Sequence, residues 1–442
     1  MSKQRAESNA APIPKAAAWG AVISMMLGVF ALATAEFLPP SVLTPIASDL
    51  GISVGLAGQT VAATAALAFA GSLLIPSFTR RIDRRNVLLG LSVLLIASNL
   101  MVAFAPDFAL LLLGRAVLGI AMGGFWAMSM AIVMRLVPES LVPRGLGIVM
   151  SGLGAATIVA APVGSWLGAV IGWRSVFLLA AALGLLALIV QLLTLPRMAP
   201  KNRANLRTLV EVARRPHMRS GLIAVLLIFG GNYALFTYIR PFLQEVTGVA
   251  ITGVTAILLA FGVANYIGSH LGGVMLKRHA TLTMVLTPLL MGAIGIALAS
   301  AHGTPATTLA LVAIWGLVFG TVPVAWTTWI TRVVPDEAES GGGLLVAAIQ
   351  VVIAVGAGAG GVLVNVGGVA SVFMVGGAVL VAAALFIALA VKPGTRAQQS
   401  DGLVREEATA MLAGETASAV DYATRTSEPY GTPQREPLSH DH

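Results

Sequence analysis

The chain has 442 residues, of which 57% are hydrophobic and only 10% are charged. Soluble domains carry about 25% charged residues, so this composition excludes a soluble globule and predicts a protein that crosses a membrane many times. The sequence contains no cysteine, which excludes disulfides, thiolate chemistry and cysteine metal sites.

Twelve apolar stretches are long enough to cross a hydrocarbon core of about 30 Å as helices. Several neighbouring stretches are separated by very short loops, so these pairs must form antiparallel helical hairpins. In chain order, the predicted spans are 19–47, 54–77, 86–105, 108–135, 143–170, 174–195, 219–243, 251–276, 281–301, 305–333, 340–364 and 370–391.

The distribution of the net charge of +8 predicts the orientation of these spans. With the N-terminus inside, the cytoplasmic tails, the cytoplasmic loops and the span ends next to them hold all of the 27 Lys and Arg residues except Arg115, Arg174 and Arg240. Such a bias places both termini in the cytoplasm, so the basic segments are topology signals and we expect no nucleic-acid partner. The first span also resembles a cleavable signal peptide, but its removal would leave an odd number of spans, so we expect it to be kept.

The two halves of the chain repeat each other with an offset of 196–197 residues. Gly119 and Gly123, for example, correspond to Gly316 and Gly320. Two six-span repeats are the architecture of rocking transporters, whose substrate site lies between the halves. We therefore predict an all-α membrane protein with 12 transmembrane helices in two pseudo-symmetric six-helix halves. The predicted organisation is a cytoplasmic N-tail (1–18), an N-terminal half (19–195), a cytoplasmic linker (196–218), a C-terminal half (219–391) and a polar, disordered cytoplasmic tail (392–442).

Glu36 is the one acidic residue that lies inside a long apolar stretch. A carboxylate at that depth costs about 2.5–3.5 kcal/mol or more, and such residues mark proton or substrate pathways by default. Pro39 and Pro40 follow directly and remove the N–H groups that would bond the carbonyls of Ala35 and Glu36, so a kink is expected. The alternative is a permanently protonated Glu36 that is hydrogen-bonded to a neighbouring helix.

Two motifs resemble those of the major facilitator superfamily, specifically its twelve-span drug:proton antiporters. Arg115 and Gly119 in the fourth span resemble the intramembrane arginine motif of that family. The segment 161–168, with Pro162, Gly164 and Gly168, and the turn 172–177 resemble its antiporter motif. The glycines form a small-residue face, which together with Pro162 would let the fifth span flex against its partner in the other half. More narrowly, the segments 36–39, 123–129, 236–241 and 329–332 resemble bacterial purine ribonucleoside efflux pumps, whose relatives include sugar and drug exporters.

One loop departs from the family pattern. The loop after the second span usually carries a glycine, an aspartate four residues later and then Gly-Arg-Arg, whereas Pro76 and Arg80 occupy the first two of these positions. Asp83, Arg84 and Arg85 resemble only the end of the motif. The charge latch between helices is therefore altered, and Asp83 is the candidate for the missing acid.

The resemblance implies that the first, fourth, seventh and tenth spans line the central cavity. Arg115 is the one strong cation deep in a span, and it either tunes Glu36 or caps carbonyls of an adjacent helix. Asn232 occupies the position in the second half that corresponds to Glu36 in the first. The first half therefore has a titratable side chain at this position, and the second half has a neutral amide. Asn232 could bond a substrate or form an interhelical hydrogen bond.

The aromatic residues of these spans are candidates for stacking on a planar substrate. Tyr238 and Trp329 could instead lie in an interfacial belt, and Phe125 and Phe236 favour packing. Gln59, and with less weight His270 or Asn265, could add hydrogen bonds. The predicted substrate-binding residues are Asn232, Trp126, Tyr238, Trp326, Trp329 and Gln350; the proton-coupling residues are Glu36 and Arg115; and the gating residues are Pro39, Pro40, Pro162, Gly164, Gly168, Asp83, Arg84 and Arg85.

Together these features predict a proton-coupled exporter of the inner membrane that moves purine ribonucleosides or related small planar polar compounds. We expect a monomer in membrane lipid that uses the proton gradient and no cofactor or metal. Within the same family, the alternative functions are sugar antiport and multidrug antiport. The alternative from another class of protein is a membrane sensor built on a transporter fold. An enzyme is not expected, because the spans hold no carboxylate pair and His270 is the one deep histidine.

Overall fold

The computed structural model describes residues 17–79, 81–199, 211, 213–300, 304–334 and 338–391. Most of the predicted N-terminal tail and linker and the whole predicted C-terminal tail lie outside the described residues. All regular secondary structure in the described part of the chain is helical, as the composition predicts.

The helices follow the predicted spans closely. Eleven helical stretches of the described chain are long and apolar enough to cross a membrane, and the longest, Gly342–Ala390, is broken at Gly368, where φ is 75°. The twelve crossings are therefore present. The helices are α1 (Trp19–Asp49), α2 (Val54–Phe78), α3 (Arg84–Ala103), α4 (Phe108–Leu136), α5 (Val142–Val170), α6 (Trp173–Thr194), α7 (Pro216–Thr237), α8 (Ile239–Glu245), α9 (Ile251–Ser300), α10 (Pro305–Val333) and α11 (Ala338–Ala390), with a 3-10 turn at Glu139–Leu141.

Two helices each supply two spans, because each is interrupted by one residue with non-helical angles. In α9 the break is His279, and in α11 it is Gly368. The predicted seventh span is also divided, since α7 ends at Thr237 and the short helix α8 follows Tyr238. We call the end of the bundle at which α1 ends and α2 begins the outer end, because the loop charges predict that it faces outward.

Side-chain caps explain where several helices begin. Ser53 accepts a hydrogen bond from the backbone N–H of the third residue of α2, and Asp107 does the same for α4. Thr304 caps α10 in the C-terminal half in the same manner. These residues bond N–H groups that a helix leaves unpaired in its first turn, so the short loops fix the helix starts within a residue or two of the predictions.

The repeated glycines form equivalent close contacts in the two halves. A Cβ atom at Gly119 of α4 would lie 2.2 Å from the carbonyl oxygen of Thr64 in α2. At the related Gly316 of α10, a Cβ atom would lie 2.4 Å from the carbonyl oxygen of Phe261 in α9. Small residues let membrane helices approach closely, so the sequence repeat reflects the same helix pairing in each half.

Replacing Gly119 by Ala should lower the thermal unfolding temperature of the detergent-solubilised protein, because the added methyl group overlaps the backbone of α2. Overpacking of this kind costs about 1–3 kcal/mol. The matched control is Gly90→Ala in α3, where no atom lies within 4 Å of the new Cβ. The control should be neutral or stabilising, because alanine favours a helix over glycine by about 0.5–1 kcal/mol. An equal effect of both substitutions would contradict the proposed packing.

Candidate transport site

A cavity lies between the two halves, and its walls come from five helices. The space in it that the centre of a water molecule can reach is about 30 Å³, so the cavity is narrow in this conformation. We call it the central cavity. Its lining residues are Phe37 of α1, Thr157 and Ala161 of α5, Asn232, Tyr233 and Phe236 of α7, Phe261 and Asn265 of α9, and Phe319 of α10.

Aromatic rings form most of the wall of the central cavity. Phe236 lies 5.1 Å from Phe261 between ring centroids and 6.3 Å from Phe37, which meets it edge-on. Tyr233 meets Phe319 edge-on at 6.4 Å. Rings in different orientations around one space offer both faces and edges to a planar guest, so the cavity suits a flat ring system.

Asn232 and Asn265 add amide groups to this aromatic wall. The indole Nε1 of Trp315 donates a hydrogen bond of 2.9 Å to Oδ1 of Asn232. The sequence left two roles open for Asn232, an interhelical hydrogen bond and a contact with substrate. The structure shows the interhelical bond, and Asn232 also lines the cavity, as a contact with substrate would require. Asn265 lines the cavity too, although we considered it a weaker hydrogen-bonding candidate than Gln59.

Glu36 lies half-buried next to Phe37, a lining residue of the cavity. Its carboxyl group interacts electrostatically with the guanidinium of Arg115 and with the hydroxyl of Tyr233. Arg115 is only 1% exposed. The structure thus places the two predicted proton-coupling residues near each other and beside the cavity, while their roles in proton coupling stay predictions.

Arg115 does not bond the carboxylate in this structure. Its Nη1 donates a 2.8 Å hydrogen bond to the carbonyl oxygen of Ala35, and its Nε and Nη2 are buried with no hydrogen-bond partner. Such a bond to a carbonyl of an adjacent helix agrees with the second of the two roles predicted for Arg115, the capping of backbone carbonyls. The two free donors remain available to an anion at that position.

Two arginines bond the carbonyls that prolines leave free in α1. Pro39 cannot donate to the carbonyl of Ala35, which Arg115 bonds instead. Pro45 likewise cannot donate to the carbonyl of Ser41, and Nη1 of Arg240 donates to that oxygen. The helix is non-helical at Val42, two residues beyond the predicted pair Pro39 and Pro40. Pro45 and Arg240 were missed because each is unremarkable until the fold brings them together.

Arg240 belongs to the C-terminal half, so its bond to α1 joins the two halves at the outer end. Tyr238 makes a second contact between the halves there, because its ring packs on Gly58 of α2. Its hydroxyl donates a 2.8 Å hydrogen bond to the carbonyl oxygen of Ala357 within its own half. Nε2 of Gln59 donates 3.1 Å to the carbonyl oxygen of Gly358. These residues, Arg240, Tyr238 and Gln59, form what we call the outer seal.

The structure brings one of the six predicted substrate residues, Asn232, to the central cavity. Tyr238 is fully buried in the outer seal, and Gln350 is 6% exposed but does not line the cavity. Trp326 and Trp329 are buried against each other, with ring centroids 5.4 Å apart. Trp126 packs on the core of the N-terminal half, which is also outside the cavity. The expectations of interfacial positions for Tyr238 and Trp329 do not agree with their burial.

Several residues that line the central cavity were not predicted from the sequence, or were predicted with less weight. Phe236 was assigned to packing, although it forms the middle of the aromatic wall. Asn232, Tyr233 and Phe236 share one face of α7 at helical spacing, as Phe261 and Asn265 do on α9. A search for polar and aromatic residues three and four apart would have found these faces. His270, by contrast, is exposed and bonds the backbone of its own helix.

The glycines of α5 face a different partner from the expected one. We expected Gly164 and Gly168 to let the fifth span move against the other half. A Cβ atom at Gly164 would lie 2.5 Å from Oγ of Ser41, and one at Gly168 would lie 2.8 Å from a methyl group of Val42. Both glycines therefore pack on α1 of the same half, beside its break, and Pro162 is buried in the same helix.

The charged loop after α2 forms hydrogen bonds with the end of α6 and with the residues that follow it. Asp83 caps α3 through the N–H of Arg85 and also accepts a 3.0 Å bond from the N–H of Met198. Arg84 donates to the hydroxyl of Thr79 at 3.1 Å, and Arg85 donates to the carbonyl of Leu192 at 2.8 Å. Asp83 thus bonds backbone N–H groups within the N-terminal half. Arg80 lies outside the described residues.

The sequence matches the Major Facilitator Superfamily over residues 25–344 and 248–420. Two pseudo-symmetric halves around a cavity define the same class of membrane transporter. The chain therefore belongs to the Major Facilitator Superfamily, and the resemblance drawn from its motifs is confirmed.

The relatives in this superfamily carry two kinds of name. The chain is 44% identical over 375 residues to the transcription regulatory protein OpdE of Pseudomonas aeruginosa PAO1, which covers 84% of this chain and 93% of that protein. It is 42% identical over 375 residues to the purine ribonucleoside efflux pump NepI of Salmonella enteritidis PT4, which covers 85% of this chain and 94% of that protein.

Solved structures agree on the fold. A POT family transporter in complex with 5-aminolevulinic acid gives a TM-score of 0.72 at 12% identity and covers 84% of this chain and 96% of that chain. A bacterial homologue of the human lysosomal transporter Spinster, in an inward-facing and unoccupied conformation, gives 0.66 at 17% identity and covers 85% and 96%. At these identities the likeness concerns the fold alone.

Proposed function

We propose that this protein is a proton-coupled exporter of purine ribonucleosides such as inosine and guanosine, or of related small planar polar compounds. The observation that carries the proposal is the central cavity, where aromatic rings and the amides of Asn232 and Asn265 lie beside Glu36. Purines stack on aromatic side chains with about 1–3 kcal/mol per base. The 42% identity to a purine ribonucleoside efflux pump supports the same substrate class.

The proposed coupling uses Glu36 as the proton carrier and Arg115 as its partner. The Nε and Nη2 donors of Arg115, which have no hydrogen-bond partner, would stabilise the carboxylate form of Glu36. The protonated form is neutral and needs no cation beside it. The bond from Arg115 to the carbonyl of Ala35 holds the guanidinium close to the acid in either state. Proton and substrate would then occupy the cavity region in alternate states, with the proton entering from the outside.

The proposed setting is the inner membrane, with both termini in the cytoplasm as the loop charges predict. The protein would act as a monomer in lipid, and the proton gradient would be its energy source. Sugar or multidrug antiport is the alternative within the same class, and a wider range of apolar cargo would need fewer polar groups than Asn232, Asn265 and Thr157 supply.

A sensor or regulator is a second candidate function, favoured by one observation. The relative with 44% identity is named a transcription regulatory protein. A sensor would bind its ligand in the same cavity without moving it across the membrane. Transport and binding therefore have to be measured on the same preparation.

Proteoliposomes with an acidic lumen that corresponds to the external side should accumulate labelled inosine against its gradient. Collapse of the pH gradient with a protonophore should abolish the accumulation, because the proton is the driving ion. A labelled lipophilic cation serves as the competing cargo. Accumulation of the cation alone would favour a multidrug exporter, and saturable inosine binding without accumulation would favour the sensor.

A further inference from the structure

The amide of Asn232 is held in one orientation by Trp315. Trp315 is fully buried and lies among the rings of Phe261, Phe236 and Phe373, at centroid distances of 5.2, 6.5 and 6.4 Å. An indole that is packed edge-on against three rings cannot turn without displacing them. Its Nε1–H therefore points permanently at one atom of Asn232.

The chemistry of indole decides which atom of the amide that is. The Nε1–H of tryptophan is only a donor, so the bonded atom of Asn232 must be the acceptor Oδ1. The structure shows no hydrogen bond from Nδ2 of Asn232 to a described residue, and Nδ2 is not among the enclosed polar atoms that lack a partner. Asn232 is only 1% exposed, and since Oδ1 is bonded to Trp315, the NH₂ group is the part of the amide left for the cavity that Asn232 lines.

A free asparagine reads adenine with both amide atoms, accepting from N6–H₂ and donating to N7. A 6-oxopurine instead presents two acceptors, O6 and N7, on the same edge. Oδ1 has two lone pairs, but its bond to Trp315, which does not line the cavity, turns this atom towards Trp315 and leaves the NH₂ group of Asn232 to face the guest. The cavity then matches an acceptor edge and leaves the exocyclic amine of a 6-aminopurine unpaired at this residue.

We infer that Trp315 is a positioning residue that makes the Asn232 amide a fixed donor and so selects 6-oxopurine over 6-aminopurine nucleosides. The inference rests on the proposed function, since it refines the substrate of the same cavity. Trp315 acts through Asn232, because it does not line the cavity itself. An unpaired buried polar group gives discrimination on the order of tenfold.

The test compares inosine and adenosine transport by the full-length protein and by Trp315→Phe, which keeps an aromatic ring and removes the N–H donor. The unsubstituted protein should favour inosine on the order of tenfold in kcat/KM. In Trp315→Phe the inosine-to-adenosine ratio should fall towards one while inosine transport continues, because the amide can then turn and accept from N6–H₂. A role in packing alone would lower both rates and keep their ratio.

A second variant, Asn232→Asp, keeps the shape of the side chain and replaces the donor with an acceptor. It should also lose the preference for inosine, and it decides the question if Trp315→Phe does not fold. Inosine preference that survives both substitutions would overturn the inference while leaving the proposed function intact. Failure of the unsubstituted protein to transport either nucleoside would instead reject the proposed function, and the inference with it.

Discussion

Replacing Glu36 by Gln should remove proton-driven accumulation while keeping substrate exchange across the membrane. One pH unit is worth about 1.4 kcal/mol per proton, so a gradient of one unit can support about tenfold accumulation when one proton moves per substrate. Glutamine keeps the size and polarity of the side chain but carries no exchangeable proton. The accumulation ratio of labelled inosine in proteoliposomes should therefore fall to about one, whereas counterflow of labelled against unlabelled inosine should continue.

The matched control is Glu245→Gln at the end of α8. Glu245 is an exposed carboxylate near the outer end, so its loss should leave the accumulation ratio unchanged. Glu36→Gln that still accumulates inosine when a pH gradient is imposed would contradict the assignment of Glu36 as the proton carrier. A variant that loses both accumulation and counterflow would instead show that Glu36 is needed for substrate binding.

The asymmetry between the halves is the structural reason to place coupling at one residue. Asn232 occupies the position in the repeat that corresponds to Glu36, and it is fixed by Trp315 rather than by a charge. We therefore propose that Glu36 carries the proton and that Asn232 contacts the substrate. The acid lies near a buried cation with free donors, and the amide lies in the aromatic wall where a base can be recognised.

The fold was predictable because its signals are local. A span is set by the length of an apolar run, and most helix ends fall within a few residues of the predicted ones. The repeat offset predicted which glycines have equivalent partners, as Gly119 and Gly316 show. The break at Gly368 lies between the predicted spans 340–364 and 370–391. The break at Val42 lies two residues beyond the predicted Pro39 and Pro40, because the position of a kink depends on the packing around the prolines.

The site was predictable only where polarity alone marks a residue. Glu36, Arg115 and Asn232 are conspicuous in apolar spans, and the structure places all three at or near the cavity. The sequence does not show which tryptophans face a cavity. Successive residues of a helix point in directions about 100° apart, and the rotation of a helix about its own axis cannot be read from one sequence. Trp326 and Trp329 therefore lie in a span that contributes to the cavity wall, but both are buried elsewhere and do not line the cavity.

Contacts between distant residues were the part that no local pattern could supply. The bond from Arg240 to the carbonyl of Ser41 joins residues 199 positions apart in the chain. Pro45 creates the need for this bond by removing an N–H donor, and the fold supplies the guanidinium from the other half. Arg240 is 2% exposed, so its charge is buried in the outer seal and bonds a backbone oxygen in place of water.

The outer seal must open if substrate is to leave outward, and the Ser41 carbonyl is then free to bond water. While the seal is closed, Ser41 is buried and its carbonyl accepts a hydrogen bond from Arg240. Loss of one partner leaves a buried polar group unpaired, which costs about 1–3 kcal/mol. The cost falls on the closed state alone, so removal of Arg240 should shift the population of conformations towards an open outer end.

Replacing Arg240 by Met should therefore raise the access of external reagents to the central cavity by about five- to a hundredfold. The chain has no native cysteine, so a single Ala161→Cys substitution in the cavity wall gives a reporter without background. The rate of its labelling by a membrane-impermeant maleimide added outside measures how often the outer seal is open. Methionine keeps much of the length of the side chain and removes the donors.

Arg174→Met is the matched control for this prediction, because Arg174 is also an arginine at the outer end. Its guanidinium bonds Asp49 and the carbonyl of Ala105, which both belong to the same half as Arg174. Its removal takes away a charge at this end without breaking a bond between the halves, so the labelling rate should not change. Equal labelling rates in the two variants would show that the Arg240 bond does not hold the outer seal closed, and that Tyr238 and Gln59 suffice.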